Sequence, residues 1–194
     1  MGQLYYGKRI HDKPDFSYLV EKCGRPMTSY IFEGDRSFSL EHIRQEYPVY
    51  GTTDYRHPAI EIMQENGSNI SEFKYVGYEI LKGKPSLKGL PATYTESEEE
   101  AETLKIILKD SLTGAKLTLL YTIFSKGSAI ARSAHICNEG EKVLHLQTMM
   151  SLNLDLPDKD YVWMQLSGAW SRERYVKNRI LEQGITAIDS MRGN

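Results

Sequence analysis

Leu104-Lys105-Ile106-Ile107-Leu108-Lys109-Asp110-Ser111-Leu112-Thr113-Gly114-Ala115-Lys116-Leu117-Thr118-Leu119-Leu120-Tyr121-Thr122-Ile123-Phe124 alternates, turns and becomes apolar again. In the first limb Leu104, Ile106 and Leu108 alternate with Lys105 and Lys109, the two-residue period of a strand with one face buried. Ser111-Leu112-Thr113-Gly114 then offers the residue types that reverse a chain. Leu117 to Phe124 is apolar and β-branched on both faces, which predicts a buried central strand between two layers.

The same rhythm extends toward the C-terminus. Ser125-Lys126-Gly127-Ser128 is a tight turn, Ala129 to Cys137 returns with Ile130 and Ile136 on one face, and Asn138-Glu139-Gly140-Glu141 turns again. Val143 to Asp155 alternates throughout, with Leu144, Leu146, Thr148, Met150, Leu152 and Leu154 on one side. Four strands joined by short turns predict an antiparallel meander. Tyr161 to Trp170 and Ser171 to Arg179 keep strand character, and Gly184 to Ser190 alternates once more. No closing element follows before Asn194, so the polypeptide is expected to continue.

Toward the N-terminus, Ala59 to Gln64 and Phe73 to Ile80 are strands flanking Asn66-Gly67, whose residues tolerate the positive φ of a hairpin turn. Asn66-Gly67-Ser68 and Asn69-Ile70-Ser71 also fit the glycosylation acceptor pattern, but without a secretion signal the turn reading prevails. Lys82 to Pro91 is a long connection and Glu96 to Glu102 an acidic solvated loop. Leu4-Tyr5-Tyr6 reads as a first strand, Ser17 to Lys22 as a turn of helix, and Phe38 to Glu46 fits either helix or irregular strand.

The 194 residues suffice for one domain with a real core. A formal net charge of −2 gives no reason to expect nucleic acid or an anionic membrane surface as partner. Arg172 and Arg174 differ in strand parity from Lys177 and Arg179, so they form no basic stripe. No apolar run has membrane-spanning length and Met1 to Arg9 lacks a hydrophobic signal core, which predicts a soluble, cytoplasmic protein. Cys23 and Cys137 belong to no metal pattern and are expected to be reduced thiols.

One loop stands apart in chemistry: Tyr47-Pro48-Val49-Tyr50-Gly51-Thr52-Thr53-Asp54-Tyr55-Arg56-His57-Pro58-Ala59. Its two prolines and its glycine disfavour helix and central strand. Asp54 can accept hydrogen bonds from hydroxyls and Arg56 can donate them, while the tyrosines offer flat apolar faces with polar tips. That mixture suits a sugar in a pocket; it equally suits a salt-bridged loop closing one end of a β-sandwich. Trp163 and Trp170 have the shape of sugar-stacking platforms, although tryptophan in such folds more often serves core or interface. Retaining glycoside hydrolysis needs two carboxyl groups about 5 to 5.5 Å apart, and no acidic pattern here fixes such a pair. Gly-x-Ser-x-Gly, His-Glu-x-x-His and phosphate-cradling glycine loops are absent as well.

Five separated stretches carry a resemblance: Leu4-Tyr5-Tyr6-Gly7-Lys8-Arg9-Ile10, Glu46 to Arg56, Lys82-Gly83-Lys84-Pro85 with Gly89-Leu90-Pro91-Ala92-Thr93-Tyr94, Ser151 to Pro157, and Gln165 to Arg174. Together, in order and at matching spacing, they resemble the N-terminal region of bacterial α-galactosidases of glycoside hydrolase family 36. The resemblance implies an all-β, antiparallel β-supersandwich of the galactose-mutarotase kind across residues 1–194. It also implies a catalytic (β/α)₈ barrel and a small C-terminal β domain outside this chain, with both catalytic aspartates on the barrel. The complete enzyme is then expected to remove terminal α-galactose from melibiose, raffinose or stachyose with retention and without a cofactor, and this chain alone to be inactive. Larger bacterial members are tetramers in which the loop matching Tyr47 to Arg56 reaches a neighbour's active site. By motif, Asp54 falls on the sugar-contacting aspartate, with Tyr55 and Arg56 shaping or holding it; Tyr55 stands where phenylalanine is common. Two other classes remain: a free-standing carbohydrate-binding module, and an aldose 1-epimerase using a histidine and a glutamate, for which His57, His135 and His145 stand in no matching motif.

Overall fold

A computed structural model of the chain describes residues 1–7, 10–11, 44–51, 56–89, 92–156 and 160–191. Its strands are β1 (Ile60–Gln64), β2 (Phe73–Lys82), β3 (Ala101–Asp110), β4 (Ala115–Phe124), β5 (Ile130–Asn138), β6 (Leu144–Met149), β7 (Val162–Ala169) and β8 (Arg172–Ile180). All pairings are antiparallel, in a four-stranded sheet of order β2-β3-β4-β5, a pair β1-β6 and a pair β7-β8. The antiparallel β class expected from the alternation is therefore met. The residues divide into two compact units, Met1–Asp155 and Leu156–Asn194.

Alternation places the core of the first unit. In β4 the odd positions Ala115, Leu117 and Leu119 are buried and sit opposite Asn138, Ile136 and Ala134 of β5, while Leu117 and Leu119 also face Leu108 and Ile106 of β3. Ile60 and Ile62 of β1 complete this cluster with Ala59 and Tyr47. Leu117 is 1 % and Leu119 2 % exposed, so each contributes roughly 1.5–3 kcal/mol of burial. β4 is central in its sheet, as its composition requires. Its second face is only partly apolar: Leu120 is half-buried, and Thr122 is buried through a 2.7 Å hydrogen bond between its hydroxyl and that of Thr103.

The turn between β3 and β4 is built by Asp110, which is 2 % exposed. Its Oδ1 accepts from the Leu112 and Thr113 amides at 2.8 and 3.2 Å, an Asx-type closure of the backbone. Its Oδ2 accepts from the Glu72 amide at 3.0 Å, which fixes the chain entering β2. Gly114 has φ +75, and a Cβ there would lie 2.6 Å from Gly140 Cα, so two turns meet at a point only glycine fits.

Several expectations are corrected. Val143 to Asp155 is not one long strand in the meander: β6 spans Leu144–Met149 and pairs with β1, while β2 is the fourth strand of the larger sheet. Burial explains the crossover, because β6 brings Leu144 and Met149 against the cluster around Leu117 and Leu119. Asn66-Gly67 does turn, with Gly67 at φ +80 and its amide bonded to the Gln64 carbonyl at 2.9 Å. It is not a hairpin turn, since the connection 65–72 is longer than hairpin loops allow and passes the chain from β1 to a different sheet. Leu4 to Tyr6 form no strand; the N-terminal segment makes an isolated bridge, Gly2 to Gln45. The acidic run holds a short 3₁₀ turn, Glu98–Glu100, and then becomes the start of β3. Gly184 to Ser190 is irregular, despite its alternation. Ser17 to Lys22, Cys23 and residues 38–43 lie outside the described residues, and Cys137 is a free thiol.

In the second unit β7 and β8 form a hairpin with a register shift between Ser167 and Ala169. Val162, Met164 and Leu166 pair with Ile180, Asn178 and Val176, giving a mostly apolar face whose members are exposed. Trp163 is half-buried, whereas Trp170 at the hairpin end is 83 % exposed and is not a core residue.

Candidate functional site

Both roots of the polar-aromatic loop are fixed. Tyr47 is buried and its hydroxyl donates to the Met150 carbonyl at 2.5 Å. Pro48 and Pro58 rank among the most deeply buried side chains, and the Ala59 amide closes the loop on the Pro48 carbonyl at 2.9 Å. On the ascending side the Ser71 amide donates to the Tyr50 carbonyl at 3.1 Å. Gly51, at φ +111, is where the loop leaves that support: a Cβ would lie 2.5 Å from Ile70 Cγ2, so a side chain is excluded by both conformation and space. Asp54 and Tyr55 lie outside the described residues.

Arg56 holds the descending side. Its Nη1 forms a salt bridge with Asp155 Oδ2, each side chain being 25 % exposed. The same Asp155 oxygen accepts from the Gln45 amide at 3.0 Å. Gln3 reads the backbone of Asp155 with its side-chain amide, donating to the carbonyl at 2.9 Å and accepting from the N–H at 3.3 Å. Asn153 donates to the Gln45 carbonyl at 2.8 Å. The N-terminus, through Gln3, the stretch preceding the loop, through Gln45, and the loop, through Arg56, thus converge on Asp155, and the last two reach its carboxylate.

Behind this junction lies a more deeply buried charge pair. Glu46 Oε1 is 2.5 Å from Arg132 Nη2, with side chains 9 % and 8 % exposed. Tyr6 donates its hydroxyl to the Glu46 carboxylate at 2.9 Å and Tyr121 does so at 2.7 Å. Arg132 also donates to the Asn153 carbonyl at 2.8 Å and lies 4.9 Å from the centre of the Tyr121 ring, within cation–π range. Burial, followed by the hydrogen bond to Glu46, pushes the Tyr6 hydroxyl up to about 12. Burial does the same for Tyr47, also to about 12, against the opposing charge of Arg132. Tyr121 is raised further, by burial first and then by Glu46. These hydroxyls are therefore protonated donors across the physiological range.

The two carboxylates are already committed. Glu46 is paired with an arginine and two hydroxyls, and Asp155 with an arginine and a backbone amide. Each is therefore already bound within the protein by an arginine and by donated hydrogen bonds. The arrangement is suited to holding a loop rather than moving protons. The three histidines considered from sequence are exposed: His57 at the loop root, His135 on β5 and His145 on β6. Among the described residues no group of three or more His, Cys, Asp or Glu side chains is placed to hold a metal, and no helix is long and apolar enough to cross a membrane. A cleft of about 850 Å³ beside β5 is lined by Lys84, Leu120, Ser133, His135, Met149 and Met150 among others.

Of the three residues proposed from sequence, Arg56 is placed in an ion pair and Asp54 and Tyr55 are outside the described set. Glu46, Arg132 and Asp155 were not singled out. For Arg132 a signal existed, since it shares strand parity with Ile130, Ala134 and Ile136, and an arginine on a core-facing stripe demands a buried partner.

The family described as the glycosyl hydrolase family 36 N-terminal domain matches residues 1–194. α-Galactosidase AgaA of Geobacillus stearothermophilus is 43% identical over 193 residues, which cover 100% of this chain and 26% of that protein. α-Galactosidase 1 of Pediococcus pentosaceus is 36% identical over 200 residues, again 100% of this chain and 26% of the relative. The crystal structure of AgaA superposes with a TM-score of 0.91, covering 99% of this chain and 27% of AgaA. A variant of AgaA solved in complex with raffinose superposes at 0.90 with the same coverage and 43% identity. The chain spans about a quarter of the length of the curated relatives it matches.

Proposed function

Since the chain belongs to the glycosyl hydrolase family 36 N-terminal domain family, we propose that it is the non-catalytic β scaffold of an α-galactosidase. In this reading hydrolysis occurs on a (β/α)₈ barrel elsewhere in the polypeptide, acting with retention on terminal α-galactosyl groups of raffinose, stachyose or melibiose. The chain supplies a loop, residues 47–58, whose Asp54 accepts hydrogen bonds from sugar hydroxyls, with Tyr55 and Arg56 beside it. The barrel and a second copy of the enzyme, in a homo-oligomer such as a tetramer, are its partners, and the setting is cytoplasmic. The observation that carries the reading is the commitment of Glu46 and Asp155: the described site is saturated with internal ion pairs and built to present a loop. The relatives supply the substrate class, because a variant of AgaA was solved with raffinose.

An incomplete sugar site binds weakly, because one loop alone provides few of the contacts that offset the entropy of association. Calorimetric titration of the 194-residue chain with raffinose is accordingly expected to show no saturable binding up to several times the roughly 1 mM that corresponds to about −4.1 kcal/mol. Saturation at or below that concentration would instead establish a self-sufficient carbohydrate-binding module.

A further inference from the structure

We propose that the apolar face of the β7–β8 hairpin is an internal seam of the complete enzyme, covered by an uncharged, largely apolar layer from another part of the same polypeptide; this rests on reading the chain as one part of a longer enzyme. The face is contiguous. Val162 and Leu166 stand opposite Ile180 and Val176 across the two strands, Met164 lies between them, and these five side chains are 59 to 68 % exposed. The usual order is inverted: Trp163, Gln165 and Ser167 on the other side of β7 are half-buried, although their cross-strand partners are Arg179, Lys177 and Tyr175. A hairpin facing water on one side turns its polar side outward, and contiguous bare apolar patches mark interaction surfaces. Sheet size points the same way, since a stable sheet needs three or more strands with a common apolar face. Among the described residues β8 pairs with β7 alone and is exposed along its whole length.

Charge and extent identify the occupant. None of the residues on the face is charged, and Lys177 and Arg179 have the opposite strand parity, so an acidic peptide or a nucleic acid finds no complement there. Asn178 lies opposite Met164 on the same face, so the covering layer supplies a hydrogen-bonding group amid apolar contacts. A second copy of the chain would cover one self-complementary patch. The first unit, however, has a bare apolar edge of its own: Tyr78 and Ile80 of the outer strand β2, opposite Ile106 and Leu104, are each 61 % exposed. Two such faces call for more covering surface than one two-fold contact supplies, and this chain corresponds to only 26% of AgaA. A tethered segment also meets the hairpin at a high effective concentration that a separate partner lacks.

The test uses the full-length enzyme carrying Met164→Cys or Val176→Cys, with maleimide labelling of each introduced thiol followed by mass spectrometry of its peptide. Labelling is expected to be at least about tenfold slower in the native than in the urea-unfolded enzyme, because reaction then requires the seam to open. A benzophenone cross-linker placed at position 164 identifies the cover: the expected products have monomer mass on denaturing gels and join residue 164 to residues beyond 194. Native labelling less than about tenfold slower, in either variant that folds, overturns the inference by showing a face open to water. Cross-linked products of dimer mass also overturn it, assigning the face to a second copy, and so does the absence of cross-links beyond residue 194. Galactosidase activity enters none of these readouts, so the reading of residues 47–58 as a substrate-contacting loop stands or falls separately.

Discussion

Arg132→Ala is expected to lower the unfolding free energy by about 3–5 kcal/mol, the largest stability effect of any single substitution at this site. The size follows from what would be left behind. Glu46 is 7 % exposed as a residue and would lose the guanidinium it is paired with, keeping the hydroxyls of Tyr6 and Tyr121. The Asn153 carbonyl would lose its donor and the Tyr121 ring its cation. Removing the charge from both partners separates this cost from lost packing. Glu46→Gln with Arg132→Met keeps an acceptor for Tyr6 and Tyr121 and fills most of the arginine's volume, so it is expected to recover more than half of the loss. Urea denaturation of the single and double variants measures both quantities. A loss below about 1 kcal/mol for Arg132→Ala would place the pair with ordinary surface ion pairs.

Asp54→Ala in the full-length enzyme is expected to reduce kcat/KM for raffinose by about 10- to 100-fold while Tm shifts by no more than a degree or two. A carboxylate hydrogen-bonded to a substrate hydroxyl contributes roughly 1.5–3 kcal/mol, and each 1.4 kcal/mol is a factor of ten. The loop's roots account for the stability half of the expectation. The roots are held by burial of Tyr47, Pro48, Pro58 and Ala59, by the Tyr47 hydroxyl on the Met150 carbonyl and by the Ala59 amide on the Pro48 carbonyl, contacts that the substitution does not remove. Asp54→Asn refines the result: the amide still accepts one hydrogen bond, and its loss should be smaller than that of alanine. Equal kinetics in wild type and Asp54→Ala would make the loop a structural closure only.

Local periodicity was legible, and pairing was not. The alternation from Leu104 to Phe124 located β3, their turn and β4, because one buried face imposes a two-residue period on each strand. Which strand lay beside which depended on contacts distant in sequence. Val143 to Asp155 alternates as well as any strand, yet β6 leaves the meander to bring Met149 opposite Ile60. Asn66-Gly67 has the composition of a hairpin turn, and the residues after it, among them Ser71 bonded to Tyr50, carry the chain elsewhere. In the site the exposed chemistry of the loop was visible from its letters, whereas its anchors were not. Glu46 sat in a stretch without clear period, and Asp155 lay on the polar parity of an alternating run, where a carboxylate is unremarkable. Only the placement of Arg132 on an apolar stripe announced a buried partner.

The most direct measurement is galactose release from raffinose by the purified 194-residue chain beside a longer polypeptide in which the proposed barrel follows it. A scaffold that lends a loop to a reaction centre elsewhere predicts release by the longer polypeptide and none above the uncatalysed background by the chain alone. Turnover by the 194-residue chain, abolished by Glu46→Gln or Asp155→Asn, would contradict it and locate the chemistry within these strands.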